Sequence, residues 1–176
     1  MTTRREVLQG LIVSIGGATA LTACGGVANV LSTRPRSAAR FYTSEEYALV
    51  TRISDLIIPR TETPGAVDAN VPGYMDGLMT DWANNKTKNA HRTALRQIKV
   101  ELDQRAGGNF LDASDSAAEQ SLVSFDAAAF AEDGDTSGYK RVKGYVSQSY
   151  FATEDGATEE LKWVAFPGRW DPSVKI

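Results

Sequence analysis

Three features of this chain have the residue types and placement to do chemistry: an arginine pair near the start, a lone cysteine and a lone histidine. Arg4 and Arg5 sit in Thr3-Arg4-Arg5-Glu6-Val7-Leu8-Gln9. The pattern S/T-R-R-x-apolar-Leu is that of the twin-arginine export signal, read by a translocase that moves already folded proteins across a bacterial membrane. Val7 stands where Phe is commoner and Gln9 where Lys is commoner; an ordinary secretory signal or an anchored helix is the alternative, and Thr3, Leu8 and the Gly/Ala-rich core favour the twin-arginine route. The Gly- and Ala-rich stretch from Gly10 to Leu21 is too short and too weakly apolar for a spanning helix, which needs roughly 20 residues. It ends in Leu21-Thr22-Ala23-Cys24, the form of a lipoprotein cleavage box. Two readings of Cys24 stand. Acyl chains on it would hold the protein on a membrane surface; alternatively the chain is secreted and cut after Ala23. The position of this single cysteine favours lipidation, and with it a periplasmic, membrane-anchored location.

The remaining reactive residues are few. His91 lies in the polar run Lys86-Thr87-Lys88-Asn89-Ala90-His91-Arg92, with no acid nearby, and reads as a solvated helix histidine. One histidine, and no cysteine beyond Cys24, cannot build a C-x-x-C-H haem site, a Cys/His zinc site or an iron–sulfur cluster. No G-x-G-x-x-G, G-x-S-x-G or H-E-x-x-H occurs. The acids of Glu132-Asp133-Gly134-Asp135 lack the closing Glu of a calcium loop and read as a solvated loop through Gly138. A net charge of −3 gives no reason to expect nucleic acid. The expectation is a chain with no catalytic, metal or cofactor-binding residues of its own.

The scaffold reads as helical. Residues 1–23 form the signal, 24–42 a Gly-, Ser- and Arg-rich tether, and 43–176 one domain; Arg34, Arg36 and Arg40 read by default as part of a solvated linker, the alternative being contact with anionic headgroups. A chain this long buries about 70% of its unfolded surface, enough for a core without disulfides. Thr43-Ser44-Glu45-Glu46 is a capping box, followed by Leu49, Ile53, Leu56 and Ile57 at helical spacing and stopped by Pro59. Pro59 to Asn70 is a broken loop turning at Pro64-Gly65. Pro72 suits the first turn of a second helix with Met75, Leu78, Met79 and Trp82 on one face. A third helix spans Lys86 to Arg105, with Leu95, Ile98 and Leu102 inward and Gly107 beyond its end. Ser114 caps a fourth, carrying Leu122, Phe125 and Phe130 inward. Tyr139 to Phe151 makes a fifth, and Glu159 to Leu161 a short turn. The expected fold is all-α, a small bundle of about five helices. After it comes an extended tail, Trp163-Val164-Ala165-Phe166-Pro167-Gly168-Arg169-Trp170. Trp163, Phe166, Arg169 and Trp170 are of the types that most often anchor interfaces, and either pack on the chain's own helices or dock on another subunit.

Two segments resemble the gluconate 2-dehydrogenase subunit 3 family. One is Ile53-Ser54-Asp55-Leu56-Ile57-Ile58-Pro59 with Thr61-Glu62-Thr63-Pro64-Gly65-Ala66 and Val71-Pro72. The other is Tyr150-Phe151 with Glu154-Asp155-Gly156-Ala157, followed by Pro167-Gly168-Arg169. Ser149 stands where Gly is common and Thr153 where Ser is common. The resemblance implies a small, cofactor-free subunit of a membrane-associated sugar or polyol dehydrogenase. In such complexes a large flavoprotein subunit of the glucose–methanol–choline oxidoreductase family carries FAD, and a multihaem c-type cytochrome subunit takes the electrons on haem c. The large subunit commonly lacks a signal and crosses the membrane bound to the small one. The loop residues Pro59, Thr61, Glu62 and Pro64 have two readings: they merely cap and turn the chain, or they are presented for contact and join Trp163, Phe166, Arg169 and Trp170 as candidate partner-interface residues. The alternative is a free-standing periplasmic lipoprotein acting as a binding or structural module.

Overall fold

The computed structural model describes residues 39–131 and 137–164, all within one compact unit, Ser37–Ile176. Arg4, Arg5, Cys24, Arg34, Arg36, the acidic segment 132–136, Phe166, Arg169 and Trp170 lie outside the described residues. The architecture is all-α, as expected, with five α-helices among the described residues.

Helix α1, Ser44–Ile57, opens on the capping box. The Glu46 N–H donates to Thr43 Oγ1 at 3.1 Å and the Thr43 N–H to Glu46 Oε2 at 2.9 Å, so two orphan donors are satisfied reciprocally. It stops at Ile58, which leaves the helical region (φ −133°, ψ 79°), as the α conformation is disfavoured for a residue that precedes proline. Its inner face is Leu49, Val50, Ile53 and Ser54. Leu56 and Ile57, expected inward, are only half-buried.

Helix α2, Val71–Gly77, has Pro72 in its first turn and continues into a π-helical turn, Leu78–Trp82. The Ala83 N–H closes that turn on the Leu78 carbonyl at 3.0 Å. Met75 and Met79 are buried, but Trp82 is 85% exposed, against the expectation that it shares their face. The cause is the turn itself: an i→i+5 turn advances each residue by less than an α turn, so Trp82 rotates off the stripe.

Helix α3, Asn85–Ala106, is the central element, packed on both later helices. The Thr87 N–H donates to its cap Asn84 at 2.9 Å, and Gly107 (φ 68°) ends it. Leu95, Ile98 and Leu102 point inward as read, joined by His91 and Ala94. A short 3-10 turn, Phe110–Asp112, buries Phe110 completely. Helix α4, Asp115–Phe130, is capped by Ser114 and buries Leu122 and Phe125. Phe130 is 56% exposed rather than inward; it ends the helix, and the ammoniums of Lys140 and Lys143 lie 5.1 and 5.2 Å from its ring centroid. Helix α5, Ser137–Phe151, begins two residues earlier than expected, taking Ser137 and Gly138 from the loop. A second π-helical turn, Gly156–Glu160, follows it. Helix α1 packs on α2, α3, α4 and α5, and α2 packs along α5.

Candidate functional site

Two regions hold the side chains that the helices alone do not explain. The first lies where the chain enters the fold. Residues 40–42, read as tether, are bound by one carboxylate. Asp76, only 5% exposed, accepts from the backbone N–H groups of Arg40 (2.8 Å, Oδ2), Phe41 (2.9 Å, Oδ1) and Tyr42 (3.0 Å, Oδ1). A buried carboxylate is tolerated when its lone pairs are filled in this way. The Arg40 guanidinium forms a two-pronged pair with Asp81, at 3.1 and 2.7 Å. Arg92 lies 4.4 Å from the Phe41 ring centroid, donates to the Phe41 carbonyl at 2.6 Å and faces Glu46 at 3.9 Å. Ordered structure therefore begins ahead of the capping box.

His91 belongs to this entry clasp, and here the sequence reading is corrected. It is buried, not solvated, and its Nε2 is 2.8 Å from the Tyr42 hydroxyl among the rings of Phe41, Tyr42 and Tyr145. Its Nδ1 has no hydrogen-bond partner among the described residues. Burial pushes its pKa down to about 4, with the nearby Glu46 acting against that and Arg141 adding to it. Burial likewise raises the Tyr42 hydroxyl far above its ordinary value. The signal was present in the sequence: His91 shares the α3 stripe of Leu95, Ile98 and Leu102 at i+4, i+7 and i+11. Asp76 carries no such local signal, since its partners lie 34 to 36 residues away.

The second region joins the two segments that carry the family resemblance. The loop after α1 folds back on itself, the Ala66 N–H donating to the Ile58 carbonyl and the Val71 N–H to the Ala66 carbonyl, both at 2.9 Å. Asp68 accepts from the Gly65 N–H at 2.9 Å and pairs with Arg60. Gly65 is required by contact: a Cβ there would lie 2.6 Å from the Arg60 nitrogen. Tyr150 crosses from α5, and its buried hydroxyl donates to the Pro64 carbonyl at 2.7 Å, while Thr63 donates to Glu160. The loop is thereby locked to the turn after α5. In that turn a Cβ on Gly156 would collide with the Tyr150 carbonyl, so the close return of the chain excludes every other residue. Thr153 Oγ1 donates to the Tyr150 carbonyl at 2.6 Å and accepts from the Gly156 N–H at 3.2 Å. A serine hydroxyl would serve equally, which explains why Thr is accommodated there.

This signature corner collects five of the candidate interface residues. Pro59, Thr61 and Glu62 are exposed and Pro64 half-buried on the loop, while Trp163, 60% exposed, is held by its N–H on the Ala157 carbonyl at 2.9 Å. Phe151, Leu161 and Val164 are exposed on the same stretch of chain. Among the described residues no three metal-ligating side chains come together, and no helix is long and apolar enough to cross a membrane.

No curated protein and no solved structure matches the chain. The pattern of gluconate 2-dehydrogenase subunit 3 matches residues 44–168, from the first residue of α1 through both segments of the corner. The chain therefore belongs to the gluconate 2-dehydrogenase subunit 3 family, and by that name is one subunit of a dehydrogenase assembly.

Proposed function

We propose that this chain is the non-catalytic, cofactor-free small subunit of a membrane-bound, flavin-dependent sugar or polyol dehydrogenase, and that it escorts the folded flavoprotein subunit through export and stabilises it. The observation that carries this reading is the family match over residues 44–168. The corner supports it: its backbone is locked internally while its large side chains remain turned to solvent, as an interface requires. A twin-arginine signal on a chain without cofactor gains that chain nothing, because it could cross unfolded. It serves a partner that must bind FAD in the cytoplasm first. In this arrangement FAD resides in the large subunit and haem c in a multihaem cytochrome subunit. Acyl chains on Cys24 hold the assembly on the periplasmic face of a membrane, and Pro59, Thr61, Glu62, Pro64 and Trp163, continued by Phe166, Arg169 and Trp170, meet the large subunit.

The test is the double variant Arg4→Lys, Arg5→Lys in a cell that also makes the flavoprotein. Both proteins should stay in the cytoplasm. Normal arrival of the flavoprotein in the periplasm would remove the escort role. Mass spectrometry of the mature N-terminus decides separately whether Cys24 carries acyl chains.

A further inference from the structure

An open groove of about 800 Å³ runs between α1, α4 and the Phe110–Asp112 turn, reaching the signature loop at Pro59 and Val67. Tyr47, Leu56 and Leu111 supply its half-buried apolar lining. Its exposed polar lining is acidic: Asp55, Asp115 and Glu119. The one cation among its described lining residues, Arg52, is already engaged. Arg52 donates to the Leu111 carbonyl at 2.8 Å and to the Ala113 carbonyl, and stands 3.6 Å from Asp115. The carboxylates of Asp55 and Glu119 make no ion pair or hydrogen bond among the described residues.

The placement of Asp55 is a local contradiction. It lies in the last turn of α1, a turn with no basic residue. The carbonyl end of a helix carries partial negative charge, so an anion there is disfavoured and a lysine or arginine would be favoured. No ion pair to Asp55 among the described residues offsets the cost. Residues that break a local rule without internal compensation are where function is to be sought.

We propose that this groove seats a basic segment of the flavoprotein subunit, its apolar side chains on Tyr47, Leu56 and Leu111 and its Arg or Lys side chains against Asp55 and Glu119. The inference rests on the escort reading and adds to it a second docking surface with a definite charge. Complementary charge of this kind sets register and association rate, and it weakens as salt screens it.

The experiment is co-expression of the full chain with its flavoprotein partner, comparing wild type with the double variant Asp55→Lys, Glu119→Lys. The isolated variant should melt at or above the wild-type temperature, because a lysine now suits the end of α1. Its affinity for the flavoprotein should nevertheless fall at least tenfold. Wild-type affinity should decline steadily between about 0.01 and about 1 M salt, and the variant's should not. Asp55→Asn with Glu119→Gln should fall between the two. Equal affinity and equal salt dependence in wild type and variant would overturn the groove assignment while leaving the escort reading intact. Failure of the wild type to hold the flavoprotein at all would remove the escort reading, and the occupant with it. A wild-type homodimer that the variant disperses would make the occupant a second copy of this chain and likewise overturn the proposal.

Discussion

The entry clasp and the signature corner are built from similar materials and put them to opposite use. Each joins a non-helical segment to helices far along the chain through a few hydrogen bonds, and each contains a tyrosine whose hydroxyl is bonded. In the clasp the side chains turn inward: Phe41, Tyr42, Asp76 and His91 are all buried, and the three backbone donors end on one carboxylate. In the corner the backbone turns inward instead, with Ala66 and Val71 fully buried, while Thr61, Glu62, Leu161 and Trp163 face water. A region that consumes its own polar and aromatic groups is a joint. One that fixes its backbone and leaves large side chains exposed suits the docking role proposed for it, since pre-organisation lowers the ordering cost of binding.

Substitution should separate the two. The largest expected effect is Asp76→Ala, which orphans three buried or half-buried N–H groups at once. A loss of about 4 kcal/mol in urea unfolding is expected from bonds to a charged acceptor. A loss below about 1 kcal/mol would mean that packing of Phe41 and Tyr42 alone secures the segment.

Next is His91 and its dependence on pH. The unfolded chain takes up a proton near pH 6.5, whereas the folded chain does so only near pH 4. Stability should therefore be full above pH 6.5 and fall as pH drops towards 4. The loss, about 3 kcal/mol in all, is complete below that. The groups facing the ring are Tyr42, Glu46, Tyr145 and Arg141. His91→Gln lacks the proton site, so its stability profile over this window should be flatter. Profiles of equal slope would show that carboxylates alone drive acid unfolding.

In the corner the effects on the isolated chain should be smaller. Tyr150→Phe removes the bond to the Pro64 carbonyl and should cost about 1 kcal/mol. Thr63→Ala should add little beyond it in a double mutant, because both bonds secure the same loop to the same turn. Smallest of all, Trp163→Ala should change isolated stability by no more than about 0.5 kcal/mol yet weaken flavoprotein binding at least tenfold. A large stability loss with binding spared would make Trp163 part of the core and blur the contrast between the two regions.

What could be read from the sequence was local. Thr43 with Glu46, Pro72, Gly107 and Ser114 mark helix ends through residues three or four positions apart, and each lies where the pattern put it. The inner stripe of α3 was legible for the same reason. Trp82 was misplaced because a single π turn breaks the 3.6-residue period on which stripe reading depends. The partners of Asp76 lie tens of residues away and an aspartate is mostly an exposed residue, so nothing local marks its burial. His91 is different: its place on the α3 stripe marks it as buried, and only its partner Tyr42, far along the chain, is beyond local reading. The two segments of the corner were visible as segments. Their contact through Tyr150 and Thr63 was not, since nothing in either stretch names the other.

The arrangement of the three bonds to Asp76 has a mechanical consequence. Arg40, Phe41 and Tyr42 are consecutive, and all donate to the two oxygens of one side chain on α2. Tension on the chain ahead of them reaches this carboxylate before it reaches the first turn of α1. The load passes through Asp76 into α2, and through Arg92 into the long central helix, so the capping box at Thr43 is shielded from it. A subunit pulled from its N-terminal side would therefore load the clasp before the first turn of α1.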